Sequence, residues 1–214
     1  MRPRRSVVVA VLILAAGLPA CVSLKRTPEA RFFVLRSLVE PPSGAPSSAA
    51  ADLLGVLPVL VPGYLDRPQV VTWAAPGELR IDEFLRWAEP LDAGVSRTLA
   101  ENLDALLPEH RVIRSPWPSA TKLRCRIRVE LEQFGPQASG EVLLVGGFAL
   151  LPAREERPLV AHAVSLRRGP LPRHTAGPDA GVGVDAMSEL LADLAREITA
   201  ALRALPKEAG DGRN

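Results

Sequence analysis

The sequence predicts one α/β domain with α+β character, in which a mixed β-sheet is covered by two long amphipathic helices. The first observation is a series of β-prone segments separated by turn residues. The second is a pair of apolar stripes with helical spacing, one in the middle of the chain and one near its end. Strands interrupted by one helix and closed by another favour a single two-layer domain. The 214 residues suit one such core.

The first twenty residues have the layout of a secretory signal peptide. Arg2, Arg4 and Arg5 precede the apolar run VVVAVLILAAGLPA, and Ala20 stands directly before Cys21. This run is shorter than the roughly 20 residues that span a bilayer, so a retained transmembrane helix is the weaker interpretation. A cysteine at this point resembles the acylated cysteine of the bacterial lipobox. The alternative is an ordinary signal that happens to precede a cysteine.

With a signal peptide and a lipidated cysteine, the chain divides into four segments. We predict a signal peptide over 1–20, a lipidated tether over 21–30, a folded domain over 31–205 and a polar tail over 206–214. The expected lipid is a covalent N-acyl diacylglycerol group on the cysteine, and no other cofactor is predicted. Because Val22 rather than an aspartate follows the cysteine, the bacterial sorting rule predicts the periplasmic face of the outer membrane.

The charge balance gives no indication of a nucleic-acid partner. Three of the 26 basic residues lie in the signal peptide, so the remaining chain has 23 basic and 24 acidic side chains and a net charge of −1. An aromatic content of 4% also argues against a surface on which bases stack.

The first half of the domain contains four predicted strands. RFFVLRSLV at 31–39 is the first, and a loop rich in proline and serine follows it. LLGVLPVLVP at 53–62 is apolar on both faces, with Pro58 indicating an edge strand or a bulge. PQVVTW and ELRID form a hairpin.

Two helices carry the clearest periodicity. The first has Pro90 at its first helical position and ends at Pro108, with an apolar stripe of Leu91, Val95, Leu99, Leu103 and Leu106. The second begins near Asp185, a candidate N-cap, with a stripe of Val184, Met187, Leu191, Leu194, Ile198 and Leu202.

Four more strands lie between the helices, at 110–116, 122–134, 141–151 and 158–169, and the middle two form a hairpin. In the second of these four, alternation places Cys125 on the apolar face as a small buried side chain and turns the arginines outward, towards solvent or along a guarded edge.

The sequence lacks the residue patterns of common catalytic and metal sites. The histidines are scattered without metal-ligand spacing, and no serine stands in a G-x-S-x-G motif. Glu89 and Asp92 near a helix start are explained by the helix dipole before acid–base catalysis. Neither an enzyme nor a metal site is therefore predicted.

The segment GYLDRPQVVTW contains a turn whose role stays open. Pro68 restricts Arg67 to extended geometry, and Asp66 is a typical turn residue. Tyr64 and Leu65 either pack internally or contact a partner, and a structural role is the simpler of the two.

Two motifs carry a resemblance to a known family. Tyr64-Leu65-Asp66-Arg67-Pro68, followed by Trp87-Ala88-Glu89-Pro90-Leu91 and then SPWP, resembles the ABC-type transport auxiliary lipoprotein family from Phe32 to about Leu205. The chain departs from the family at Pro19 in the lipobox and at Trp73, where a basic residue is expected.

The resemblance implies an accessory lipoprotein of an MCE-type (mammalian cell entry) lipid transport system. The expected partners are an MCE-domain tunnel protein and its ABC transporter, contacted by docking rather than turnover. A repeating tunnel is compatible with a homo-oligomer of the lipoprotein. The signature residues Tyr64 to Pro68, Trp87, Glu89 and Pro90 are the expected contact set, and Cys21 is the anchor.

Two other function classes stay open at this point. One is an envelope-assembly lipoprotein, such as a lipopolysaccharide or secretion-apparatus component, because a fold of this kind does not determine function. The other is a periplasmic enzyme, which a deep pocket with convergent titratable groups would favour.

Overall fold

The strands of the chain form two mixed sheets and a short ribbon. The fold comes from a computed structural model, which describes residues 28–41, 52–170, 173–174, 177–178 and 180–206. In chain order the elements are β1 (Arg31–Phe33), β2 (Asp52–Val56), β3 (Gln69–Ala75), β4 (Glu78–Trp87), α1 (Leu91–Leu106), β5 (His110–Arg114), β6 (Leu123–Pro136), β7 (Val142–Pro152), β8 (Val160–Arg168), β9 (Arg173–His174), β10 (Gly177–Pro178) and α2 (Ala180–Ala204).

The larger sheet has five strands in the order β5-β2-β6-β7-β8. Strand β2 runs parallel to both β5 and β6, whereas β6, β7 and β8 form an antiparallel meander. Along β6 the residues Leu123, Cys125, Ile127, Val129 and Leu131 are buried, as their alternation predicts. The intervening arginines lie on the other face of a central strand, so the interpretation as a guarded edge is wrong.

The smaller sheet has the order β1-β4-β3. Strands β3 and β4 form the predicted hairpin, and β1 adds to β4 in parallel. The backbone N–H of Ala138 donates to the carbonyl oxygen of Trp73 at 2.7 Å, which joins this sheet to the β6–β7 turn. The two sheets therefore belong to one domain with a common hydrophobic core.

Both helices are confirmed and pack on the sheet and on each other. Helix α2 contacts β6, β7 and β8, and α1 contacts β5. The predicted stripe of α2 is buried throughout, and that of α1 is buried except at Leu106, where Leu107 takes the core position. Pro90 is the N-cap of α1 rather than its first residue. Helix α2 begins at Ala180, so Asp185 lies inside it and is not an N-cap.

Two strands are shorter than predicted, and β4 continues five residues beyond the predicted ELRID, to Trp87. Strand β1 ends at Phe33, because the backbone beyond it bonds to side chains of the helices instead of a neighbouring strand. Strand β2 ends at Val56, two residues before Pro58, and lies between β5 and β6 rather than at an edge. A single bridge from Leu60 to Glu130 resumes the pairing.

Several predicted segments lie outside the described residues. These are the signal peptide with Cys21, most of the tether, most of the proline- and serine-rich loop, and the tail after Pro206. Within the described ranges, no helix combines the length and apolar character that crossing a bilayer requires.

Cys125 should be almost inert in the folded protein. Its side chain is 2% exposed, and burial raises the pKa of the thiol to about 11. Because the thiolate is the reactive form, we expect iodoacetamide at neutral pH to label Cys125 about 100-fold more slowly in the native protein than in guanidinium chloride. The Cys21→Ser variant, in which Cys125 is the only thiol, gives the cleanest measurement. Equal rates in the two solvents would contradict the buried placement.

Candidate functional site

The segment after the second strand forms a tight double turn. The N–H of Leu65 donates to the carbonyl oxygen of Pro62 at 2.8 Å, and the N–H of Arg67 donates to that of Leu65 at 2.9 Å. Pro68 then directs the chain into β3, since it holds the preceding residue in extended geometry. The turn leaves Asp66 and Pro68 exposed while Leu65 is buried.

Tyr64 attaches this turn to the larger sheet. Its hydroxyl donates to the carbonyl oxygen of Glu132 at 2.7 Å, and its ring meets that of Trp73 edge-on with centroids 5.5 Å apart. Burial raises the pKa of Tyr64 above its ordinary value. Tyr64 and Leu65 therefore have internal packing roles in the structure.

The second signature segment meets the turn through backbone bonds. Trp87 ends β4, and its N–H donates to the carbonyl oxygen of Pro68 at 2.7 Å. The N–H of Ala88 donates to the carbonyl oxygen of Phe33 at 2.9 Å. Two stretches about twenty residues apart in sequence thus lie side by side, with helix α1 starting directly after them.

An ion pair with Arg97 holds Glu89 in place. The Arg97 guanidinium contacts Glu89 Oε1 at 2.5 Å, and it also donates to the carbonyl oxygen of Leu35 at 2.9 Å and pairs with Glu101. The hydrogen bond to Glu89 raises the pKa of Arg97. Gly94 permits this approach, because a Cβ atom there would lie 3.2 Å from Glu89 Oε1. Arg97, in α1, therefore holds Glu89 and the segment after β1 against that helix.

A cavity of about 320 Å³ lies between the two signature segments. Its wall consists of residues from the turn and from the start of α1, namely Asp66, Arg67, Pro68, Trp87, Ala88, Glu89, Pro90 and Leu91. The structure thus brings most of the signature set together around one cavity, although Tyr64 and Leu65 lie behind it and Trp87 is only 7% exposed. Their role as a partner contact stays a prediction.

A second cavity, of about 360 Å³, lies on the face of the larger sheet opposite the helices. Glycines and alanines of β7 and β8 form its floor, and Arg128, Glu130 and Glu132 of β6 stand at its side. Arg128 is engaged in an ion pair with Glu156, which also pairs with Arg126. This cavity could not be predicted from the sequence, because the β6–β7 register that aligns these small residues depends on a bulge in β6.

Asn102 is a buried polar residue that the sequence analysis missed. Its Oδ1 accepts hydrogen bonds from Ser37 Oγ at 2.9 Å, Leu38 N at 3.1 Å and Val39 N at 3.2 Å. We refer to residues 35–39 as the strap, because they cross both helices. Ser188 of α2 accepts a further bond from the backbone of this segment. The signal in the sequence was a polar residue within the apolar stripe of α1.

Replacing Asn102 with alanine should loosen the strap. We expect Asn102→Ala to lower the free energy of unfolding by about 2 kcal/mol, because three donors lose one acceptor. Asn102→Asp keeps an acceptor oxygen but places a carboxyl group at a fully buried position, so it should cost less than Asn102→Ala at a pH low enough to keep that group neutral. Urea denaturation of both variants measures the difference. Equal losses would contradict the role of Oδ1.

The other candidate residues do not gather into a reactive site. Among the described residues, no three side chains of the metal-ligating types lie close enough to hold an ion. His162 stacks on Phe148, with ring centroids 5.3 Å apart, and His110 lies at the start of β5. The side chain of His174 and the anchor residue Cys21 are outside the described part of the chain.

Comparisons with solved structures agree with the observed fold. A protein described only as uncharacterized has a TM-score of 0.65 and 21% identity, covering 82% of this chain and 99% of its own. A protein of the DUF330 family from Xanthomonas campestris has a TM-score of 0.64 and 15% identity, covering 81% and 94%. A PelC dodecamer from Paraburkholderia phytofirmans, at a TM-score of 0.43 and 15% identity over 75% and 94%, is too distant to define a shared fold.

The family comparison covers most of the folded domain. No curated protein matches the chain. The family described as the ABC-type transport auxiliary lipoprotein component matches residues 33–199, which include both signature segments, helix α1 and most of helix α2. The chain therefore belongs to the ABC-type transport auxiliary lipoprotein family.

Proposed function

We propose that this protein is an outer-membrane-anchored periplasmic lipoprotein that serves an MCE-type ABC lipid transport system. It acts by docking to partner proteins rather than by catalysis. Family membership supports the general role as an auxiliary lipoprotein of ABC-type transport. The specific system, membrane and partner are the parts that this proposal adds.

The order of segments at the N-terminus supports the proposed anchor. Cys21 is the proposed site of acylation, and the folded domain begins ten residues later at Arg31. Ten extended residues reach at most about 35 Å, so the domain would stay close to the membrane surface. Val22 after the cysteine favours sorting to the outer membrane.

The observation that carries the docking role is the meeting of the two signature segments around one cavity. Glu89, in the second signature segment, lines this cavity and forms an ion pair with Arg97. It therefore has a structural role rather than a role in proton transfer. Pro68, Ala88 and Pro90 are exposed around the cavity and supply a rigid apolar surface, whereas Trp87 lies beneath them with 7% of its surface exposed.

Affinity purification tests this function. The full-length tagged lipoprotein is isolated in detergent from membranes of the native host, and copurifying proteins are identified by mass spectrometry. We expect an MCE-domain protein together with the ATPase and permease of an ABC transporter, all absent from an untagged strain. Recovery of lipopolysaccharide-assembly or secretion components instead would contradict the proposal and favour an envelope-assembly lipoprotein.

A further inference from the structure

Arg67 lines the cavity between the two signature segments, and no ion pair of its guanidinium is found among the described residues. The side chain is half-buried, and its Nε atom is shielded from solvent and has no hydrogen-bond partner among the described residues. A buried guanidinium nitrogen without an acceptor costs stability, since its hydration is lost and nothing replaces it. Because Nε itself has no accessible surface, an anion from outside would reach the guanidinium through the part of the side chain that lines the cavity.

The acids next to Arg67 do not neutralise it. Glu89 lines the same cavity, but Arg97 holds it at 2.5 Å. Asp66 is exposed and forms no ion pair with its neighbour in the described structure. The cavity thus presents one basic group that lacks an anion, while the other arginine at this surface has several partners.

The surroundings of Arg67 are apolar. Pro68, Trp87 and Leu91 line the cavity beside it. Two exposed apolar side chains lie elsewhere on the domain surface, with Phe32 of β1 63% exposed and Val34, directly after β1, 46% exposed.

On these grounds, and resting on the docking function above, we propose that Arg67 binds a carboxylate of the partner protein, carried by an aspartate or glutamate flanked by apolar residues. The planar fork of arginine matches a carboxylate through two parallel hydrogen bonds. A cavity of about 320 Å³ accommodates one side chain of this size with its neighbours. An anionic membrane surface is a poorer fit, because lipid-binding patches cluster several basic residues, whereas Arg67 is the one basic residue among those that line this cavity.

Photocrosslinking in the native host tests this assignment. Ala88 is exposed and lines the cavity, so the full-length variant Ala88→p-benzoylphenylalanine places the probe beside Arg67. Ala161, an exposed alanine on β8, carries the same probe as a positional control. We expect a protein adduct from position 88 whose peptide contains an acidic residue among apolar ones, and no such adduct from position 161.

Substitutions of Arg67 then test the charge. In the Ala88 probe background, Arg67→Met should reduce the adduct yield by about tenfold or more, and Arg67→Lys should reduce it less. Arg157→Met, at an exposed arginine of the β7–β8 loop, should leave it unchanged. Arg67→Glu combined with an arginine in place of the partner's acid should restore the adduct, which also shows that the Arg67 variants are folded.

Several outcomes would overturn the assignment. They are an adduct to lipid, an adduct to this chain's own residues, a partner peptide without a carboxylate, no adduct at all, and a yield that Arg67→Met leaves unchanged. Failure of the carboxylate site can be distinguished from failure of the proposed function. If transporter components copurify but do not depend on Arg67, only the carboxylate site is refuted. If an acidic peptide on a secretion component depends on Arg67, the site stands and the transport role falls.

Discussion

The variant Cys21→Ser is expected to lose its membrane anchor completely. The proposed lipid consists of three acyl chains, and each buried CH₂ group contributes about 0.8 kcal/mol to membrane binding. A hydroxyl does not accept the diacylglycerol group through a thioether, so the variant should accumulate as an unacylated precursor or in the soluble periplasmic fraction. Labelling with radioactive palmitate, fractionation and intact mass spectrometry of material from the native host measure this.

The second cysteine provides a matched control. Cys125→Ala removes the other thiol of the chain but leaves the signal peptide and Cys21 unchanged, so this variant should be acylated like the wild type. A palmitate-labelled, membrane-bound product from Cys21→Ser would refute the anchor. So would wild-type protein with an intact leader and an unmodified Cys21.

Gly146→Ala is expected to give the largest loss of stability among single-methyl additions at the glycines we compare. A Cβ atom at Gly146 would lie 2.2 Å from the carbonyl oxygen of Glu130 and 2.9 Å from the Cα atom of Leu131. Both atoms belong to the backbone of β6 at the centre of the sheet, so they cannot move without separating two strands. We expect a loss of about 3 kcal/mol or more in the free energy of unfolding, the upper range for overpacking.

Gly63→Ala is the control for this change. A Cβ atom at Gly63 would have no heavy atom within 4 Å, so the same added methyl group should change stability by less than about 0.5 kcal/mol. Denaturant unfolding of both variants measures the comparison. A tolerated Gly146→Ala would show that β6 and β7 do not approach each other as closely as described.

The Gly146 contact also affects the candidate site. Gly146 pairs with Leu131, and the register shifts between Leu131 and Gln133, which leaves Glu132 as the extra residue of a bulge. The carbonyl oxygen of Glu132 accepts a hydrogen bond from the hydroxyl of Tyr64. Separation of β6 from β7 should therefore loosen the turn that carries Arg67, and Arg67-dependent crosslinking should weaken with it.

Much of the fold could be predicted because periodicity reports burial directly. The alternation around Cys125 and the helical stripe from Val184 to Leu202 both match the observed core. The division of the strands into two sheets was not predicted, since it depends on which edges pair over long sequence distances. The first strand was predicted too long, because its residues after Phe33 bond to Arg97 and Ser188 of the helices.

The candidate site was predictable as a pair of motifs but not as an arrangement. Sequence spacing gives no sign that Trp87 donates to Pro68, or that Glu89 is engaged by Arg97. The unpartnered state of Arg67 is likewise a property of the three-dimensional surroundings. Tyr64, one of the proposed contacts, has a packing role that only the bulge at Glu132 explains.

If Cys21 is anchored as proposed, strand β1 and then the strap carry the mechanical force that enters the domain from the tether. Tension on the tether arrives first at β1, which is paired with β4 in parallel, and a pull along β1 loads those hydrogen bonds together in shear. Beyond β1, Asn102, Arg97 and Ser188 fasten the same backbone to both helices. In the proposed anchored state, the contacts of β1 and the strap resist extraction of the N-terminal segment from the domain.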